Sequence, residues 1–478
     1  MIRNPGTGAT IMKHAVVLLA IVLGQSAASR IGQSAEPIEI GSRRELFVDR
    51  YLIEELSGGA ALTLHKPQPQ EVVLTTDKPW EGNTCAYYTI FRDGDRYRMY
   101  YRGSHYDEKS KKAAHPEVTC YAESTDGIHW SKPELGLFEF DGSKKNNIVW
   151  DGIGTHCFVA FKDENPDCPP AARYKGIARG RPRGKKGLYV FKSPDGIHWS
   201  LLRTEPVITD GAFDSQNLAF WDRHANVYRE YHRTFVDGVR AIMTGTSTDF
   251  VNWSEPVLLK FPGAAKEHLY TNAVRVYERA PHLLIGFPTR YLPKQGSRVE
   301  PVFMSSRDGL SFHRWPDAVI PENAPEDRGG NRSNYMAWGL LQLPGNDRAY
   351  SVYATEAYYT GPDSRVRRFT YRVDGFVSAH AGEQAGDIVT KPITFYGKRL
   401  TVNFATSTGG KIQIELQDVN GKPLKQLSLN DCRPLQGDAV DQTVRWGKSA
   451  HVGSWAGKPV RLHFRLTNAD LYSFRFQD

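Results

Sequence analysis

Three carboxylates in the 478-residue chain, Glu81, Asp214 and Glu267, share a placing that could support chemistry, each standing just ahead of a β-forming run. Glu81 lies between Trp80 and Asn83, Asp214 between Phe213 and Asn217, and Glu267 before His268, Tyr270 and Asn272. Cleavage of a glycosidic bond asks for two carboxyl groups flanking that bond, one protonated and one ionised. A third can orient substrate or move a neighbour's titration, because close like charges push proton affinities apart. On this reading Glu267 is the general acid, Glu81 the base or nucleophile, and Asp214 the substrate orienter. Each also has a plainer reading as a turn or strand-end residue. Glu356, set among aromatics between Tyr353 and Tyr359, is the rival acid, or else half of a buried ion pair with Arg332 or Arg290.

Trp80, His156, Asn217, His268, Tyr270, Asn272, Arg332 and Asn334 are the candidate substrate-binding residues, since amides, rings and charged forks suit sugar hydroxyls and faces. Other chemistries lack their motifs. The chain has no Gly-x-Ser-x-Gly elbow, no His-Glu-x-x-His, no phosphate-binding glycine loop and no dinucleotide fingerprint, so no cofactor is expected. Its five cysteines fit no zinc spacing, no metal site is expected, and a local Cys157–Cys168 disulfide is left open.

The elements that would position these residues follow from an internal repeat. Ser124-Thr-Asp-Gly-Ile-His-Trp130 recurs at Ser193–Trp199, and more loosely at Ser247–Trp253 and Ser306–Phe312, with a degenerate fifth copy at Arg372–Phe376. Short Val, Ile, Tyr, Phe and Trp runs alternate with Gly, Asp and Asn turns between the copies, which makes the chain all-β. Spacings of 54 to 69 residues leave room for four short strands per unit, the size of a propeller blade. In each copy the Ser and Asp oxygens can tie the turn backbone while the closing aromatic packs between sheets, so these aspartates are structural. Five copies predict a five-bladed β-propeller over residues 36–378. The first strand of each blade would line a central channel, bringing the three carboxylates to one channel mouth.

After Phe376 the texture changes. Residues 379–390 are small and polar, a linker by composition, and alternating strands over 385–478 predict a C-terminal antiparallel β-sandwich. At the other end, Lys13 and His14, the apolar run Ala15–Gly24 and the small residues after it have the order of a secretory signal peptide over residues 1–35. The expected location is secreted or periplasmic, with no membrane partner once that segment is removed. Net charge is +8 for the whole chain and about +5 without Arg3, Lys13 and Arg30. Spread over so long a chain, this is no nucleic-acid signature. One basic run, Arg179 to Lys186, reads either as a solvated hairpin tip or as a contact for an acidic polysaccharide.

The leader, the five blade turns and the C-terminal strands together resemble the five-bladed propeller glycosidases, the invertase and arabinanase-like families. The invertase-type Trp-Met-Asn-Asp-Pro-Asn-Gly opening and its Arg-Asp-Pro and Glu-Cys signatures are missing. The resemblance therefore lies in architecture. It implies an exported glycoside hydrolase with a carbohydrate substrate, neutral or anionic. The alternatives are a non-catalytic carbohydrate-binding propeller, a sialidase-like enzyme and a glycoside phosphorylase.

Overall fold

The structure, a computed structural model, describes residues 36–321 and 334–478. The signal-peptide segment and Arg332 lie outside the described residues. Among those described, no helix is long and apolar enough to cross a membrane.

Blades 1 to 4 are built from consecutive antiparallel strands. Blade 1 holds Ala86–Asp93, Arg96–Gly103, Val118–Ser124 and Ile148–Trp150. Blade 2 holds Phe158–Lys162, Tyr174–Gly180, Gly187–Ser193 and Ser200–Leu201. Blade 3 holds Leu218–Asp222, Val227–Val236, Val239–Ser247 and Val257–Leu258. Blade 4 runs from Arg275–Val276 through Leu284–Gly286 and Thr289–Leu292 to Arg298–Ser306 and Phe312–Ala318. In blade 5, bridges at Met336 and Leu341 lead into Ala349–Glu356 and Arg365–Arg372. Its outer strand is Gln68–Thr75, from the start of the chain, so the ring is closed by pairing remote segments.

The repeated turns do what their residues predict. Ser124 Oγ bonds Asp126 Oδ1 at 2.9 Å and accepts the Gly127 amide, while Asp126 Oδ1 accepts the amides of Ile128 and His129. The same set recurs at Ser193, Ser247 and Ser306. The turns also join the blades. Tyr100 of blade 1 donates its hydroxyl to Gly196 O at 2.6 Å, Tyr231 of blade 3 to Gly309 O at 2.9 Å, and Tyr353 of blade 5 to Gly127 O at 2.7 Å. Each bond ties one blade to the turn of the next, so a fully buried tyrosine satisfies its polar end where its ring packs.

The boundary with the C-terminal unit differs from the one expected. Ile53–Gly58 pairs with Gly386–Thr390, Ala61–Leu64 with Val377–Ala381, and Glu45–Leu46 with the long strand Arg461–Gln477. Residues 38–64 therefore belong to the C-terminal β unit, and the propeller begins at residue 68. Within the segment 379–390, residues 379–381 and 386–390 are paired strand joined by a short turn, and not linker. Its strand residues Ala379, Ala381 and Ile388 are buried in the sheet, and their partners come from far away in the sequence, so composition alone misreads it. The unit is organised by Arg399–Gln417 pairing along Arg461–Gln477 and has its own apolar core.

Asp374, from the degenerate fifth turn, ties propeller to C-terminal unit. Fully buried, it takes Tyr277 Oη at 2.5 Å, Arg279 Nε at 2.9 Å and, from the C-terminal side, Ser473 Oγ at 2.7 Å and Asn403 Nδ2 at 3.1 Å. Arg44 adds an ion pair at 3.5 Å.

Candidate site at the channel mouth

Starts of the inner strands and tips of the second hairpins lie on one face of the propeller, and there the polar residues gather. His156 occupies a one-turn 3-10 segment, Thr155–Cys157, directly before the inner strand of blade 2. The turn needs Gly154 ahead of it, at φ +97°, where a Cβ would come within 2.6 Å of Ala178. Asp214 stands before the inner strand of blade 3 in a loop held by Asn217. That amide donates to Phe213 O at 2.8 Å and Ser215 O at 3.0 Å, and accepts the Arg233 amide.

The two residues meet: His156 Nε2 lies 2.8 Å from Asp214 Oδ1, and Nδ1 lies 3.0 Å from both oxygens of Glu117. Arg179 reaches Asp214 at 2.9 Å and Arg233 at 3.8 Å, while Arg102 reaches Glu117 at 3.6 Å. The His156 hydrogen bond, aided by Arg179 and Arg233, holds the Asp214 carboxyl well below the usual carboxylate range. Burial pushes Glu117 upward, but His156 and Arg102 outweigh it and bring that carboxyl down as well. Asp214 is therefore ionised at neutral pH, yet its side chain is 51% exposed and open to a ligand.

Tyrosines line the interior beside this group. Tyr335 packs against Tyr87, Tyr270 and Tyr358 at ring distances of 6.2, 5.5 and 5.6 Å. Arg102 lies over Tyr87 and donates to Tyr358 Oη at 2.9 Å. Burial raises the phenols of Tyr87, Tyr335 and Tyr358, which keeps them neutral donors. Tyr87 and Tyr359 hold left-handed backbone at φ 59°, a strain that bulky residues bear only where the surroundings impose it. Beside His156 and Asp214 opens a cavity of about 560 Å³, lined also by Arg179, Arg181, Lys186 and Arg233 and by none of these tyrosines. The basic hairpin of blade 2 thus forms part of the cavity wall. At the opposite end of the inner strands, Phe91, Phe161, Phe220 and Trp338 line a smaller space of about 140 Å³.

The three expected catalytic carboxylates do not converge. Glu81 is fully buried, with Lys132 Nζ at 2.6 Å, Tyr101 Oη at 2.5 Å and the Lys78 amide at 3.1 Å on its oxygens. Glu267 faces an adjoining cavity of about 250 Å³, which Arg240 also lines, and there Arg314 and Arg290 engage it. Alternation along the strand explains this: Glu267 and its neighbour His268 point to opposite sides, and His268 joins Arg240 and Tyr291. Asp214 alone of the three reaches the mouth cavity. Glu356 is a buried ion-pair residue, with Arg367 Nε at 2.6 Å.

Of the expected substrate contacts, His156 and Tyr270 are at the mouth and His268 is at its blade 4 edge. Trp80 is a packing residue, donating to Asn147 and abutting Phe140. Asn217 is fully buried in its loop, and Asn272 donates to the Gln216 and Tyr231 carbonyls, bracing blade 3 from blade 4. Asn334 is buried. All five cysteines are free thiols, so Cys157 and Cys168 are not bridged. Among the described residues, no group of three or more His, Cys, Asp or Glu could hold a metal ion.

Glu117, Arg102, Arg233, Arg240, Tyr87, Tyr335 and Tyr358 are the mouth residues that the reading of the blade entrances leaves out. The missed signal is positional. An arginine stands near the end of the second strand in four successive blades, as Tyr-Arg102-Gly, Ala-Arg179-Gly, His-Arg233-Thr and Thr-Arg290-Tyr.

Compared with known protein families and with curated proteins, the sequence matches none. Solved structures of similar fold include a thermostable family-43 glycoside hydrolase, 14% identical over 63% of this chain and 94% of that one, with a TM-score of 0.43. The β-1,2-mannobiose phosphorylase from Listeria innocua is 10% identical over 65% and 97%, TM-score 0.45. An N-acetylgalactosamine deacetylase from F. plautii, in complex with blood group B trisaccharide, is 12% identical over 67% and 96%, TM-score 0.46.

Proposed function

We propose that the protein is an exported carbohydrate-processing enzyme that cleaves a glycosidic bond at the propeller mouth. The observation that carries this reading is the Glu117–His156–Asp214 chain, hydrogen-bonded at 3.0 and 2.8 Å, beside a cavity large enough for a sugar. In this scheme Asp214 is the working carboxylate. Ionised, oriented by His156 and half open to solvent, it can stabilise positive charge developing at an anomeric carbon; its low proton affinity makes it a poor base, so the departing oxygen takes its proton from water and the attacking water gives its proton to solvent. Glu117 acts through His156 and is a positioning residue. The neutral hydroxyls of Tyr87, Tyr335 and Tyr358 offer donors to sugar oxygens. Export is argued from the leader-like order of residues 13–29.

One observation favours a second reading, a non-catalytic carbohydrate-binding propeller: both mouth carboxylates are already engaged by cations and neither is held protonated. The experiment that separates them incubates wild type and Asp214→Asn with a panel of neutral and acidic polysaccharides and aryl glycosides. It reads both reducing-sugar release and binding. The enzyme reading expects release that falls roughly 10²–10⁴-fold in the variant, with binding retained. Binding of a saccharide with no release from any substrate would overturn it in favour of the second reading.

A further inference from the structure

Blade 3 brings towards the mouth two guanidinium groups that the internal ion pairs do not balance. Arg233 lies near the end of Val227–Val236 and Arg240 near the start of Val239–Ser247, on the two arms of one hairpin. Their guanidinium carbons lie 5.0 and 5.1 Å from the centroid of the same ring, Tyr270, and 5.3 and 5.4 Å from that of Phe235. Arg240 also stands 4.6 Å from the Tyr291 ring centre.

Elsewhere the sheltered arginines are neutralised at close range: Arg98 by Asp93, Arg279 by Asp374, Arg307 by Glu45, Arg367 by Glu356. Arg240 has no such partner among the described residues. No carboxylate comes within 4.0 Å of it, and its buried Nε has no hydrogen-bond acceptor. Its polar neighbour is His268 Nδ1, 3.4 Å from Nη1. Arg233 has only a distant share of Asp214, at 3.8 Å, and that carboxylate is already taken by His156 and Arg179. Arg233 lines the cavity of Asp214 and Arg240 the adjoining one of Glu267, and the two guanidinium groups share the Tyr270 ring.

Holding cations together in a partly dry site without counter-charge is unfavourable, unless a ligand supplies that charge. Arginine's planar fork suits an oxyanion with two or more acceptor oxygens, and the aromatic rings fix the direction of each fork. We propose that this corner of the mouth is the subsite for the oxyanion of an acidic sugar, a carboxylate or a sulfate ester, gripped by Arg233 and Arg240 next to Asp214. The proposal deepens the reading of the mouth as a saccharide site and rests on it. It also gives the basic blade 2 hairpin a part, since Arg181 and Lys186 continue the positive wall.

The test is a binding titration of the full chain, wild type, Arg240→Gln and Arg240→Lys, each checked for an unchanged thermal midpoint. The probes are a uronate oligosaccharide, the same oligosaccharide with its carboxyl groups reduced to alcohols, a sulfated oligosaccharide, and inorganic phosphate. The expected result is one acidic probe bound about 10- to 100-fold tighter than the reduced one, as charged hydrogen bonds imply. That preference should be lost in Arg240→Gln, partly kept in Arg240→Lys, and weakened by salt. The uronate and sulfate arms decide which oxyanion is recognised. Equal binding of acidic and reduced probes, a preference that survives Arg240→Gln, or binding of inorganic phosphate alone would overturn the proposal. Because the readout is binding, a protein that prefers the acidic probe but cleaves nothing refutes the enzyme reading only. One that cleaves a neutral saccharide with no anion preference refutes the subsite only.

Discussion

Tyr100, Tyr231 and Tyr353 make chemically identical bonds between neighbouring blades, yet their removal should not cost the same. Each is at most 1% exposed, and each donates its hydroxyl to the glycine-position carbonyl of the next blade's turn. Replacement by Phe keeps the ring and deletes one buried hydrogen bond, worth about 1 kcal/mol net. What differs is the carbonyl left behind. Gly196 O keeps the indole of Trp199 at 3.0 Å, and Gly127 O keeps that of Trp130 at 3.2 Å. In the blade 4 turn the closing aromatic is Phe312, which has no N–H to offer. Tyr231→Phe therefore leaves a buried acceptor unsatisfied and adds about 1–3 kcal/mol. With an unfolding entropy of about 2.1 cal/mol/K per residue over roughly 440 residues, 1 kcal/mol corresponds to about 1 °C in Tm. Calorimetry should show losses of about 1 °C for Tyr100→Phe and Tyr353→Phe, and about 2–4 °C for Tyr231→Phe. Equal losses in all three, or the smallest loss in Tyr231→Phe, would refute the argument that acceptor satisfaction sets the cost.

Lys132→Met should destabilise by about 3–5 kcal/mol by stranding the buried Glu81 carboxylate, and the added Glu81→Gln should recover much of this, measured by urea unfolding. If Glu81 were a working catalytic base, the double variant would be inactive; we expect it to bind and turn over saccharide as wild type does. Asp374→Ala should also cost about 3–5 kcal/mol, because Arg44 and Arg279 lose a buried partner at the junction. Limited proteolysis should then cut first near that junction. Acid should weaken the fold through Glu45, Asp93 and Asp249, each held at about 2. Burial opposes the shift in all three, but His282 and Arg307 act on Glu45, Lys162, Tyr174 and Arg98 on Asp93, and turn amides on Asp249. Their folded pKa values lie below the unfolded ones, so the unfolded chain binds more protons as pH falls. This stability is present above about pH 4 and is lost towards pH 2, which urea midpoints at pH 6, 4 and 3 should follow.

The blade repeat is legible in the sequence because its information is local. Ser124, Asp126, Gly127 and Trp130 satisfy one another within seven residues, so their spacing announces the turn, and five such turns announce five blades. The general position of the mouth follows from the same logic, and of the residues it names His156, Asp214 and Tyr270 lie there. What each carboxylate meets there is a different matter. Glu81 finds Lys132 51 positions along the chain, His156 finds Asp214 58 positions along, and Glu267 finds Arg314 47 positions along. Such pairings depend on which way alternate strand residues point and on how hairpins of neighbouring blades lean together. A sequence showing only that an acid precedes a strand cannot distinguish Glu81, sealed against a lysine, from Asp214, open to the cavity. The strands at 38–64 and 68–75 make the same point on a larger scale. Their partners lie some 300 residues away, and an exposed strand edge accepts whatever backbone the finished fold brings to it.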